Sequence, residues 1–186
     1  MGAEYCPYCA TERWALVVAL SRFGSFTGLH VIQSASDDAF PNTQTFTFHG
    51  SAYRSAYLAF DAVELETNQR AHGSYTKLDP PTPEQRRLML TYDGPPYFNP
   101  SSTGGIPFID FGGRYLVSGA SFDPSVLQGK SAESIANEIA DPSTAVSQGA
   151  VGTANALTAA ICGLTDDKPS TICSDPAIVG IRPRLK

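Results

Sequence analysis

Two cysteines separated by two residues, Cys6-Pro7-Tyr8-Cys9, stand directly before the apolar run "ATERWALVVALSRFG". A dithiol with this spacing can exchange with disulfides, supply half of a zinc site, or close into a structural staple. What lies beneath it decides between these. At a helix N-terminus, unpaired backbone N–H groups and the positive end of the macrodipole stabilise an anion. The thiolate is the species that attacks a disulfide. On that reading Cys6, nearer the solvent edge, is the nucleophile, and Cys9, one turn further in, is the resolving thiol. Pro7 suits a first helical turn because its φ is fixed and it has no N–H to satisfy. Tyr5 and Tyr8 flank the thiols and are candidates for shaping a substrate groove.

The remaining cysteines, Cys162 and Cys173, lie far along the chain with ten residues between them. A zinc ribbon would pair the first motif with a second CxxC or a close His pair, and His30, His49 and His72 are scattered singly. No metal and no other cofactor is therefore expected. An even cysteine count suggests a disulfide within each pair, and hence an oxidising compartment. Cys162 and Cys173 are expected to pin the C-terminal tail; the rival role, a second redox pair relaying electrons, lacks a CxxC or a helix N-terminus to support it.

The 186 residues suffice for one domain with a sizeable core, or one domain plus an extension. With 42% hydrophobic and 17% charged residues the chain reads as globular, and 16 Gly and 14 Pro announce many turns. A net charge of −5 without any basic run argues against a nucleic-acid partner. No apolar stretch approaches the roughly 20 residues that would span a bilayer, and "MGAEYC" carries neither a myristoylation signal nor a signal-peptide n-region.

Stepping along the chain, Trp14, Leu16, Val17, Leu20 and Phe23 recur at helical spacing, with Gly24 as the expected stop. In this helix Glu12 is expected on a solvated face and Trp14 in the core. "GLHVIQSAS", "TQTFTFHG" and "SAYLAFDAVELET" read as strands, His30 and His49 being strand side chains. "TPEQRRLMLTYDG" is a helix with Thr82 as N-cap and Pro83 in its first turn. The aromatic loop "YDGPPYFNPSSTGG" follows, as a candidate groove border or a rigid surface loop. "GIPFIDFGGRYLVSGASF" reads as a hairpin around "FGGR". "SAESIANEIADP" is a helix capped by Ser131, "STAVSQGAVGTANALTAAIC" is helical, and the end is loop-like.

Helix, strand, a middle insertion, helix, hairpin and helix is the element order of a thioredoxin fold after its first strand. "GGIPFIDFGGR" resembles the thioredoxin superfamily, in which a cis-proline opposite the CxxC opens a hairpin. The resemblance implies that Ile106-Pro107 is cis and that the Ile106 backbone lies beside the dithiol, offering strand-like hydrogen bonds to an extended substrate. "CPYC" is shared with glutaredoxins, but their Gly-Gly and adjacent acidic residues after the cis-proline region are not reproduced. The Trp before the motif of thioredoxin proper is replaced by Tyr5. "GAEYCPYCATERWALVVALSRFG", "FTFHGSAYRSAYLAFDAVELET" and "GIPFIDFGGRYLVSGASF" together resemble DUF929, a family of uncharacterised thioredoxin-like domains, many of them expected to be anchored outside the cytoplasmic membrane.

The expected architecture is α/β: a three-layer thioredoxin-like domain over residues 1–141, a strand and helix insertion over about 37–98, and a helical extension with the Cys162/Cys173 pair over 142–186. The resemblance implies a strand directly before the dithiol, for which residues 1–5 leave little room. Either the sequence begins part-way into a longer polypeptide, which is the preferred expectation, or another segment fills that slot; any membrane attachment is expected to belong to a segment outside it. The expected function is a protein thiol–disulfide oxidoreductase or isomerase acting outside the cytoplasm on protein thiols or disulfides, with a redox partner protein. The alternative is a non-catalytic thioredoxin-like binding module whose disulfides are structural.

Overall fold

The computed structural model describes residues 1–185. It is a mixed α/β protein, with α1 (Pro7–Leu20) running along one side of α4 (Ala145–Leu164). Four two-stranded antiparallel pairs accompany these helices. The pairs are β1 (Gly24–Thr27) with β4 (Ala52–Ser55), β2 (His30–Gln33) with β3 (Gln44–Thr47), β5 (Glu66–Ala71) with β6 (Ser74–Lys77), and β7 (Phe108–Phe111) with β8 (Tyr115–Ser118). α2 (Pro83–Tyr92) and α3 (Ala132–Ile139) complete the longer elements.

Local chemistry explains most helix starts. Thr82 and Gln85 form a reciprocal capping box at α2, Ser131 accepts from Ser134 N at α3, and Thr144 accepts from Ser147 N at α4. The β7–β8 turn needs two successive residues at positive φ, which Gly112 (+60°) and Gly113 (+68°) supply without a Cβ penalty. Asp110 accepts from Gly113 N at 2.7 Å and locks that turn.

Three expectations are corrected. First, α1 ends at Leu20, and Gly24 opens β1. Strand β4 causes the early stop: Tyr53 Oη donates to Leu20 O at 2.8 Å and Ser55 Oγ to Phe23 O at 2.7 Å. Gly24 is there for close approach, since a Cβ would lie 2.2 Å from Arg54 O. Second, "SAYLAFDAVELET" is not one strand. Residues 56–63 are irregular, because Leu58, Phe60 and Ala62 lie across the main core with no ladder partner. Third, the C-terminal end is not simply loop. It holds two single-turn helices, α5 (Ser170–Cys173) and α6 (Pro176–Val179), the latter started by Asp175 accepting from Ala177 N.

Residues 1–4 occupy a strand-like slot. Gly2 bridges Glu64 in parallel, with Gly2 N donating to Val63 O and Leu65 N to Gly2 O. On the other side Met1 N and Phe108 N exchange bonds with Phe108 O and Met1 O, at 2.6 and 2.9 Å. The stretch before the dithiol is therefore clasped between the two segments that flank the site. Beyond Met1, the same segments line a cavity of about 370 Å³ that also touches Cys9, Glu12, Leu16 and Ile161.

The larger core joins Leu16, Ala19 and Leu20 of α1 to Phe48, Phe111, Leu157 and Ile161. A second cluster packs Trp14 with Leu127, Ile135 and Val146, and Trp14 Nε1 donates to Gln44 O at 2.9 Å. Helix α4 thus shares its core with α1. Cys162 and Cys173 are bonded to each other inside the larger cluster, tying α5 to α4. In the chain-entropy account a loop of this size stabilises by about 2–3 kcal/mol. Replacing both residues by Ser is expected to lower stability by about that amount in chemical denaturation. The thiol chemistry at Cys6 should be left in place, and a loss of thiol exchange in a folded variant would restore the relay role.

Candidate active site

Cys6 is the N-cap of α1, and its sulfur accepts from Cys9 N at 3.3 Å. Pro7 takes the first helical position, as its missing N–H allows. The disulfide expected between Cys6 and Cys9 is not formed; both are free thiols in this helix-capping arrangement. Nor does Cys6 stand at an open solvent edge: it is 4% exposed against 1% for Cys9. Ile106 helps cover it, and the Cys6 thiol lies 3.8 Å from Ile106 O.

Hydrogen bonding separates the two sulfurs where exposure does not. The neighbouring Cys9 thiol, the backbone N–H groups of Cys9 and Tyr8 and the Arg13 charge favour the Cys6 thiolate, outweigh burial and hold its pKa below the ordinary thiol value. Burial pushes the Cys9 thiol well above that value, and the neighbouring Cys6 adds to the shift. One sulfur is prepared to carry charge. The other is prepared to carry a proton.

The Ile106–Pro107 peptide bond is cis, and Pro107 is buried beside the cavity that reaches Cys9. The structure thus brings Cys6, Cys9, Pro7, Ile106 and Pro107 to one place. Tyr5 and Tyr8 form the rim unequally. Tyr8 is 41% exposed, with its ring edge-on to Phe40 at 5.9 Å. Tyr5 is stacked on Tyr75 at 4.1 Å, and Arg70 lies 4.4 Å over the Tyr75 ring. Asp37 accepts from Arg70 Nε at 2.6 Å and from Tyr75 Oη at 3.0 Å, so the β5–β6 hairpin braces Tyr5. Burial and the nearby thiols push the Tyr5 pKa up to about 12. The Cys162–Cys173 bond lies elsewhere, in the core between α4 and α5.

Several site residues had no single-residue signature. Glu12 is not on a solvated face: it is 1% exposed, and both its oxygens accept from Ser121, at 2.8 Å from N and 3.1 Å from Oγ. Burial raises its pKa despite those bonds. Arg13 is 3% exposed and clasps Glu64 with two N–H groups. The usable signal was collective: α1 is apolar on nearly every face, so its two charged residues had nowhere to go but inside. His49 sits just past β3 and meets Asp79 at 2.7 Å.

The domain family described as "Domain of unknown function (DUF929)" matches residues 1–163. The chain belongs to the DUF929 family. That span contains the dithiol, its clasp on residues 63–66 and the Ile106–Pro107 segment, and it runs through most of α4. Searches of curated proteins and of solved structures found no match for this DUF929 domain.

Proposed function

We propose that this DUF929 domain is a thiol–disulfide oxidoreductase or isomerase with a thioredoxin-like arrangement, acting on protein cysteines outside the cytoplasm. The observation that carries the reading is the inequality of two neighbouring sulfurs at one helix N-terminus, with a cis-proline segment against the more acidic one. The Cys6 thiolate attacks one sulfur of a substrate disulfide, forming a mixed disulfide and releasing the other sulfur as a thiolate that takes up a proton. Cys9, once deprotonated, attacks the Cys6 sulfur, releasing the substrate's second thiol and leaving Cys6 and Cys9 bonded. A redox partner protein then returns the pair to the dithiol, or the sequence runs in reverse with a dithiol substrate. The Ile106 backbone beside Cys6 and the exposed ring of Tyr8 are assigned to holding an extended substrate segment.

The Cys162–Cys173 bond supports an oxidising compartment. No helix among the described residues is long and apolar enough to cross a membrane.

The near-complete burial of Cys6 favours a second reading, a binding module with an inert thiol pair. Alkylation separates the two. Reduced protein treated with iodoacetamide near neutral pH is expected to react at Cys6, with Cys9 protected until the chain is unfolded. Absence of labelling at either thiol in the folded protein would establish the module; equal labelling would overturn the assigned roles.

A further inference from the structure

We propose that the buried Arg13–Glu64 pair sets the redox poise of the dithiol, Arg13 as a positioning residue that favours the thiolate and Glu64 as the counter-charge that limits it. The inference deepens the oxidoreductase reading and rests on it. Arg13 follows Cys9 by four residues, which puts the two on the same face of α1. Its Nε donates to Glu64 Oε1 at 2.9 Å, and its Nη2 donates to Glu64 Oε2 at 2.5 Å and to Ala3 O at 2.8 Å. The remaining nitrogen, Nη1, is buried without a hydrogen-bond partner. Guanidinium and carboxylate are thus held in fixed geometry, 4% and 2% exposed.

Gly2 shows how close the carboxylate and the sulfur come. A Cβ built on it would lie 3.4 Å from Cys9 Sγ and 3.6 Å from Glu64 Oε2, so both crowd the same glycine. In so dry a place charges are weakly screened, and the Arg13 field reaches both thiols. Of the other ionisable groups around the dithiol, Glu12 is bonded to Ser121 and Glu66 to Lys77, Asp38 accepts from Ala39 N, and Tyr5 is stacked on Tyr75. The Met1 ammonium, bonded to Phe108 O, also feels Cys9, Glu64, Arg13 and the buried Asp93 carboxylate, and the variants below leave Met1 and Asp93 in place.

The logic of the device is that only the reduced state is charged. A disulfide is neutral, so the Arg13–Glu64 field acts on the dithiol form alone and shifts the equilibrium between the two. Two variants move it in opposite directions. Glu64→Gln keeps the shape of the clasp and leaves Arg13 uncompensated. The Cys6 alkylation midpoint should then fall by about one pH unit. The equilibrium with glutathione should shift about tenfold toward the dithiol, which is about 30 mV. Replacing the whole pair, Arg13→Met with Glu64→Leu, removes the pair's field and leaves neither partner as an orphaned buried charge. That variant should raise the midpoint and shift the glutathione equilibrium toward the disulfide. Both readouts use iodoacetamide and glutathione on the domain alone, so they hold even for a chain that exchanges with no protein substrate. Midpoints and equilibria that stay at the parent values in the folded variants, or that move in one common direction, would overturn the inference; so would a merely structural pair, which predicts no shift of opposite sign.

Discussion

Replacing Cys9 by Ser is expected to trap Cys6 in mixed disulfides with substrate proteins, and replacing Cys6 by Ser is expected to trap none. The asymmetry follows from the positions of the two sulfurs. On the proposed oxidoreductase reading, Cys6 caps α1 beside the Cys9 side chain, backbone N–H groups and the Arg13 charge, and a Ser hydroxyl at position 9 keeps a donor there, so Cys6 still attacks in the Cys9→Ser variant. Ser at position 9 removes only the second attack, the one that releases the substrate. A lone Cys9, with its pKa pushed up by burial, is protonated near neutral pH. Exchange should fall to the uncatalysed background in both variants, and only one should leave a covalent record. Non-reducing electrophoresis followed by identification of the bonded cysteine reads this directly. Adducts on the Cys6→Ser variant, or equal adducts on both, would reverse or cancel the roles.

The second large effect is on stability. Arg13→Met alone leaves the Glu64 carboxylate buried opposite an apolar side chain, and breaking a buried pair from one side costs about 3–5 kcal/mol. For a chain of this length each kcal/mol moves the midpoint of thermal unfolding by roughly 2–4 °C. The single variant should therefore melt roughly 6–20 °C below the parent. Adding Glu64→Leu removes the orphaned charge and should recover most of the loss, because apolar packing of similar volume often matches a buried ion pair. Thermal unfolding followed by circular dichroism on the parent, both singles and the double closes the cycle. Equal melting of the single and the double would mean that Glu64 finds another partner when Arg13 is gone.

Much of the site was legible in local sequence. The placement of Cys6 at a helix start, the caps at Thr82 and Ser131, and the glycine turn between β7 and β8 all depend on contacts within about four residues, where side-chain chemistry and backbone geometry speak directly. The cis bond at Ile106–Pro107 was reached through resemblance, since nothing in the dipeptide itself distinguishes cis from trans. Neighbouring strands were harder to read. The alternation in "SAYLAFDAVELET" is genuine, yet its residues 56–63 lie over the core without a ladder, because period-two burial requires two faces and not a hydrogen-bonded neighbour.

By itself, the sequence determined the chemistry available: a CxxC dithiol on a helix start, a separate distant cysteine pair, and a chain apolar enough to bury a core around them. Only the tertiary structure decided what surrounds that chemistry. It clasped residues 1–4 between 63–66 and Phe108, turned Glu12 and Arg13 inward to Ser121 and Glu64, and stacked Tyr75 on Tyr5. Each of these joins residues far apart in the chain. Their meeting is a property of how α1, α4 and the strand pairs close on one another, and the energy of a buried charge depends on which partner that closure delivers.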